Sequence, residues 1–203
     1  MKRTLYSGIA VIALMLGGCS STSTPPAAKK EVKPAEPIGG QSAVFYMYQA
    51  ARQWKSDAQI MTVENMNMET VKPVDGKFGA WRATFVSLTD KTQRLFTYGV
   101  QEEGSIRKGT YSGTESTFAV RPRVFPIPIQ KVKVDTPAAL ETARKELKPI
   151  IDKNPEQPIQ FMMEWTYQTP NPAWRVYVGS SVSSSLGSVY VDADTGKFLM
   201  KVK

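Results

Sequence analysis

The chain has 203 residues, a formal charge of +8 and a hydrophobic fraction of 41%, enough apolar material for one large domain or two small ones. It contains no histidine, which excludes Ser-His-Asp and Cys-His catalysis, His-ligated zinc and imidazole proton shuttling. Its single cysteine, Cys19, excludes an intrachain disulfide framework and any multi-cysteine metal site.

The N-terminus reads as an export signal. Lys2 and Arg3 precede an apolar run from Leu5 to Leu16, which ends at Leu16-Gly17-Gly18-Cys19. This is the basic, apolar and small-residue order of a secretory signal, and the run is too short for a permanent membrane span. The four residues resemble the lipobox of bacterial lipoproteins. That resemblance implies cleavage after Gly18, residues 1–18 being the signal peptide. It also implies a diacylglycerol thioether on Cys19 and an acylated amine (palmitate-type chains). Two or more acyl chains give stable anchoring where one would be marginal. Ser20 stands where an Asp commonly retains Gram-negative lipoproteins at the inner membrane, so the expected address is the outer membrane, facing the periplasm.

Residues 19–41 are rich in Ser, Thr, Pro, Ala and Lys and nearly lack large apolar side chains. Such a segment cannot offset its ordering entropy and is expected to be a disordered tether. Without Lys2 and Arg3 the chain keeps 24 basic against 18 acidic side chains. That modest surplus suits anionic envelope polymers or lipid head groups. Nucleic acid is not an expected partner of an exported chain.

The first folded unit is expected over residues 42–113. Val44, Met47, Tyr48, Ala51 and Trp54 keep helical spacing, with Ser42 as the N-cap. A strand or two follow from Ile60 to Lys72, broken near Asn65, then a turn at Asp75-Gly76. Trp81, Ala83 and Phe85 alternate as the next strand, and Leu95–Gln101 and Ile106–Tyr111 complete a meander. Residues 114–135 form a connector. Its Pro122, Pro126 and Pro128 alternate with large apolar residues and predict an extended path over a surface or along a sheet edge.

Residues 136–203 form the second unit. Thr136 as cap and Pro137 in the first turn open a helix through Leu140, Ala143, Leu147 and Ile150, expected to kink or stop near Lys148 because of Pro149. Strands follow at Ile159–Gln168 and over Trp174, Val176 and Val178. A hairpin from Val189 to Val202, turning at Asp194-Thr195-Gly196, closes the chain. Trp81 and Trp174 lie 93 positions apart in matching contexts, Ala-Trp-Arg in both. The predicted fold is therefore α+β, two tandem units each with one helix packed on a three- to four-stranded antiparallel sheet.

The ending Tyr190-Val191-Asp192-Ala193-Asp194-Thr195-Gly196-Lys197-Phe198-Leu199 resembles that of the PepSY domain family. The resemblance covers roughly the last 70 residues and extends to the first unit by analogy, since Tyr98–Ser105 lacks the Asp-x-Asp-Thr-Gly turn. It implies a small cystatin-like helix-on-sheet fold in exported or membrane-associated proteins. PepSY units are proposed to restrain peptidases and carry no established catalytic residues.

Other motifs point to structure rather than chemistry. Ser105-Ile106-Arg107-Lys108 fits the S-x-x-K pattern but lacks its partners and a helical setting. Asp192 and Asp194 open like a calcium loop, yet the twelfth position is Lys203, so they read as a turn. Met61, Met66 and Met68 suggest a copper site only weakly and are expected to fill the core. Trp81 and Trp174 are expected to face the helices, and Arg82 and Arg175 the opposite sheet face. No enzyme activity, catalytic residue, metal or cofactor is expected. The expected function is a lipid-anchored envelope module that binds a protein or peptide, with glycan or anionic lipid binding as the alternative.

Overall fold

Ala43, Val44, Met47 and Ala51 recur on one side of a 3.6-residue period and are buried, which makes Gly40–Trp54 a helix, α1, with one apolar face. The structure is a computed structural model that describes residues 35–202. The meander after α1 comprises β1 (Gln59–Met66), β2 (Ala80–Ser87), β3 (Thr92–Gly99) and β4 (Gly109–Thr117). Its counterpart after α2 (Thr136–Lys153) comprises β5 (Ile159–Glu164), β6 (Ala173–Val178), β7 (Gly187–Asp192) and β8 (Phe198–Val202). The α+β class is as expected. The sheet is not split between two units, however: all eight strands form one antiparallel sheet in the order β4-β3-β2-β1-β5-β6-β7-β8.

Both helices lie on one face of this sheet and share one core. Val44 and Met47 of α1, Leu140 and Leu147 of α2, and inward residues of strands on both sides belong to the same buried cluster. Trp81 and Trp174 sit at its centre, fully buried, with ring centroids 6.1 Å apart in an edge-to-face arrangement. Their positions correspond. The Trp81 indole donates to the Ile38 carbonyl at 3.0 Å, and the Trp174 indole to the Val134 carbonyl at 2.8 Å. Each acceptor is the residue just before its helix's N-cap.

The seam between the halves is narrow. β1 and β5 pair only over Val63–Met163 and Glu64–Met162 before they part. On one side the proline-rich connector enters the gap. Ile127 exchanges both backbone hydrogen bonds with Ile60 (2.7 and 3.1 Å), and the Phe125 amide donates to the Trp165 carbonyl at 2.8 Å. Pro126 and Pro128 flank Ile127, so the proline-free positions carry the amides that pair, and Ile127 is fully buried. The connector is thus a wedge in the middle of the sheet, not a strap on its surface or edge. On the other side, side-chain amides replace the ladder. Asn65 Oδ1 accepts from the Phe161 amide at 2.7 Å, Asn65 Nδ2 donates to Gln160 Oε1, and Gln160 Nε2 reaches Asn67 Oδ1 at 3.4 Å.

Several boundaries differ from the sequence reading. The order begins before residue 42: Ile38 pairs with Phe78, and Gly40 and Gln41 are already helical. The α1 cap is not Ser42. The first amides are satisfied from the other half, Gly40 N–H by Thr136 Oγ1 and Gln41 N–H by Asp135 Oδ1, both at 2.9 Å. Thr136 is not the α2 cap either; Asp135 is, accepting from Thr136 N–H at 2.7 Å. Pro149 does not end the helix, because α2 runs on to Lys153 and the Asn154 amide closes it on the Ile150 and Ile151 carbonyls. β4 begins at Gly109, three residues later than read, and Ile106 instead packs with Met68, Val71 and Ala80 in a satellite cluster. The expected signal peptide, Cys19 and the expected tether as far as residue 34 lie outside the described residues.

Candidate functional site on the open sheet face

Alternation along the strands puts Trp81, Ala83 and Phe85 under the helices and Arg82 and Thr84 on the face that carries no helix. The expected split between Trp and Arg faces is therefore present in both halves. On the open face Arg82 Nε donates to Glu64 at 2.9 Å. Arg175 lies over the Tyr190 ring, 5.6 Å from its centroid, donates to Ser188 Oγ at 3.2 Å and approaches Glu164 at 3.9 Å. The Tyr190 hydroxyl donates to Glu164. Burial, and then this bond to a carboxylate, hold its ionisation well above the ordinary tyrosine range. This cluster is internally satisfied and reads as the closed half of the face.

The other half of the face is not closed. A groove of about 280 Å³ is lined by Met61, Thr62, Thr84, Leu95, Thr114 and Phe118, among others. Its floor belongs to a small apolar cluster of Met61, Val86 and Phe118 with Val124 packed against it. Thr114 and Ser116 of β4 form the outer wall, and the connector closes the end with Arg121 and Val124. Arg121 is the one charged residue in the lining and forms no ion pair among the described residues. The origin of the opening is visible in the sequence. Three residues beyond each tryptophan stands Thr84 in the first half and the buried Tyr177 in the second. A small side chain occupies the position where the other half has an aromatic ring.

A second depression, of about 320 Å³, lies between α2 and β7–β8, lined by Leu147, Ile150, Leu186 and Val202. Its rim charges, Lys201 and Glu146, are paired with each other at 3.0 Å.

The other residues singled out by motif fall into structural roles. Asp192 is nearly fully buried and accepts from the amides of Asp194 and Thr195, both at 2.9 Å, and from Asn171 Nδ2 at 2.9 Å. Burial alone would raise its pKa; the bonds from Asn171, Thr195 and Asp194 outweigh that and lower it. Asp194 bridges to the connector through Lys133 and Lys131, whose hydrogen bonds hold its carboxyl below the usual range. Both carboxylates thus close the final turn and pin it to the connector. Ser105 lies in the tight turn between Glu103 and Ile106, away from any helix start. Met61 and Met68 belong to different apolar clusters, so the three methionines do not converge. Among the described residues no group of three or more His, Cys, Asp or Glu side chains is arranged to hold a metal. No described helix is long and apolar enough to cross a membrane.

Sequence reasoning missed the groove. Its signal was the Thr84-for-Tyr177 exchange together with Phe118 and Val124 at the start of the connector, residues far apart in the chain.

No protein-family model matches the chain, and no curated protein matches it. Among solved structures, the chain is similar to the crystal structure of a candidate lipoprotein from Clostridium difficile 630, with 10% identity and a TM-score of 0.49 over 85% of this chain and 95% of that chain.

Proposed function

We propose that this protein is a lipid-anchored lipoprotein of the bacterial envelope, its two halves being PepSY-like units, and that it acts without catalysis by binding a protein or peptide. The lipobox-like Leu16-Gly17-Gly18-Cys19 supports the anchor, with Cys19 as the acylated residue and the outer membrane, facing the periplasm, as its address. The matching order of one helix and four strands in each half, with matching tryptophans, supports the paired-unit reading. A peptidase is one class of partner that such units would restrain.

The observation that carries the binding role is the open-face groove, apolar at its floor and hydroxyl-lined at its walls. Its test is cross-linking and affinity capture of the full chain from membranes, comparing wild type with Thr84→Tyr. The substitution fills the groove with the side chain present at Tyr177. Loss of one specific partner with Thr84→Tyr, at unchanged folding, supports the reading; equal capture by both proteins overturns it. Cys19→Ser with membrane fractionation tests the anchor separately, since release from the membrane fraction is expected.

Binding of envelope glycan or anionic lipid is the second reading. It draws on Arg123 stacked over the exposed Tyr167 ring at 5.0 Å and on Phe125 packed against Trp165 beside it. Retention on glycan or on anionic vesicles, lost with Tyr167→Ala and kept with Thr84→Tyr, would favour it.

A further inference from the structure

We infer that the groove takes the C-terminal residue of a peptide, with its large apolar side chain against Met61, Phe118 and Val124 and its terminal carboxylate on Arg121. This rests on the groove being the binding site and names the ligand class that the site selects.

Size and closure limit the occupant. At about 280 Å³ the groove lies just under the roughly 300–1,000 Å³ of pockets that hold drug-sized ligands, so it has room for about one residue. It opens on the sheet face that carries no helix, and the connector shuts one end with Arg121 and Val124. A chain that enters from that face stops at the connector. A chain end fits such a site, and a segment that must run through it does not.

The charge stands next to the apolar surface. Arg121 is the only charged residue in the lining and forms no ion pair among the described residues, so it complements an anion. The Val124 amide donates to the Arg121 carbonyl at 3.4 Å across a turn, and Val124 packs on the Met61–Phe118 cluster. In a C-terminal residue the carboxylate and the side chain leave the same Cα, which meets both demands within one residue. An Asp or Glu side chain has no apolar group beside it and would need a second residue, for which the groove lacks space.

The turn that carries Arg121 is fixed on both sides. The Phe118 amide donates to the Lys91 carbonyl at 2.8 Å, and the Tyr167 amide to the Arg123 carbonyl at 3.0 Å. Arg123 takes a positive φ of 74° at the third turn position, where glycine is usual, and its guanidinium is held over the Tyr167 ring. The backbone at the groove end is thus set before any ligand arrives, which lowers the ordering cost of binding.

Polar groups and shape agree with a peptide end. Among the described residues the hydroxyls of Thr62, Thr84, Thr114 and Ser116 make no hydrogen bond within the protein, whereas Arg175, Ser188, Tyr190 and Glu164 of the other half satisfy one another. A free hydroxyl both donates and accepts, which suits the N–H and C=O groups of the last peptide units. The position equivalent to Thr84 holds the buried ring of Tyr177, so a large side chain on this face can be covered by its neighbours.

The test uses the full chain in detergent and a panel of Gly-Ser hexapeptides, dye-labelled at the N-terminus. They end in Phe, Tyr, Leu, Ala or Lys, each as the free acid and as the amide. Fluorescence anisotropy should show the Phe, Tyr and Leu acids binding about tenfold tighter than their amides and than the Ala and Lys acids. Arg121→Gln, an exposed substitution, should erase the difference between acid and amide, and Arg121→Lys should keep part of it. Added salt should weaken the acids and leave the amides unchanged. Thr84→Tyr, checked for folding by circular dichroism, should block every peptide. Equal binding of acids and amides, with Thr84→Tyr still blocking, overturns capture of a chain end and leaves the groove as a site for an internal segment. If Thr84→Tyr leaves the acids bound, the groove reading itself falls. Absence of binding across the whole panel overturns the inference, while membrane capture with Thr84→Tyr judges the groove reading by itself. A dimer that Thr84→Tyr dissociates overturns it in favour of a second copy of the chain.

Discussion

Asp135 and Gly39 are in such close contact that a Cβ on Gly39 would lie 2.1 Å from the Asp135 carboxylate. The carboxylate caps its own helix at Thr136 and the other helix at Gln41, so one anion stabilises two helix N-termini that would otherwise repel through their dipoles. Asp135→Ala removes both caps. We expect a loss of about 1–2 kcal/mol for each, with Asp135→Asn retaining most of it, measured by urea unfolding.

Gly40 is pinned by space. A Cβ there would meet Trp174 Cη2 at 2.7 Å and both Thr136 Cγ2 and Trp81 Cη2 at 2.9 Å. Gly40→Ala should therefore destabilise by about 1–3 kcal/mol, although alanine favours helices in general. Gly104→Ala meets no neighbour within 4 Å but has φ +58, so its cost should stay near the roughly 1 kcal/mol of a left-handed alanine. Thermal unfolding of the pair separates the crowding effect from the backbone effect.

Truncating either buried tryptophan should loosen both halves together. Trp81→Ala or Trp174→Ala opens a cavity and strands a carbonyl, at Ile38 or Val134, for a loss of about 3–5 kcal/mol. Because the core is shared, each variant should unfold in one transition by circular dichroism. Two separated transitions would contradict the single core.

Asn65 holds the seam where the ladder stops. Asn65→Leu removes the acceptor for the Phe161 amide and leaves Gln160 without its amide partner, at a cost of about 1–3 kcal/mol. Hydrogen exchange should show the Phe161 amide losing protection before the β6 and β7 amides.

Asp192 gives the fold an acid limit. Its pKa is lowered in the folded state, so its charged form contributes stability above the unfolded carboxylate pKa of about 4, and that contribution is lost as pH falls through the lower folded value. Wild-type stability should decline below about pH 4. In Asp192→Asn that decline should be shallower from a lower starting stability, measured by urea midpoints across pH.

The helices, most strands and the Asp75-Gly76 and Asp194-Thr195-Gly196 turns were legible in the chain because their signals are local. A 3.6-residue apolar period, an alternating strand and a glycine with positive φ each act over a few residues. The same locality made the opposed Trp and Arg faces readable. The errors arose where distant residues compete for the same backbone groups. Ser42 is a good capping residue, yet Asp135 and Thr136, over ninety positions away, reach the first amides of α1 instead. Pro149 sits near a helix end, where one lost bond is tolerated.

What the sequence by itself determined was a helix followed by a meander, twice, with buried tryptophans at matching points. Only the tertiary structure decided that the meanders fuse edge to edge, that Ile127 enters the seam between β1 and β5, and that Thr84 leaves a groove open beside β4. Periodicity encodes which side of a strand is apolar, but it does not encode which strand lies next to it. That choice is made by shape and hydrogen-bond complementarity between segments far apart in the chain.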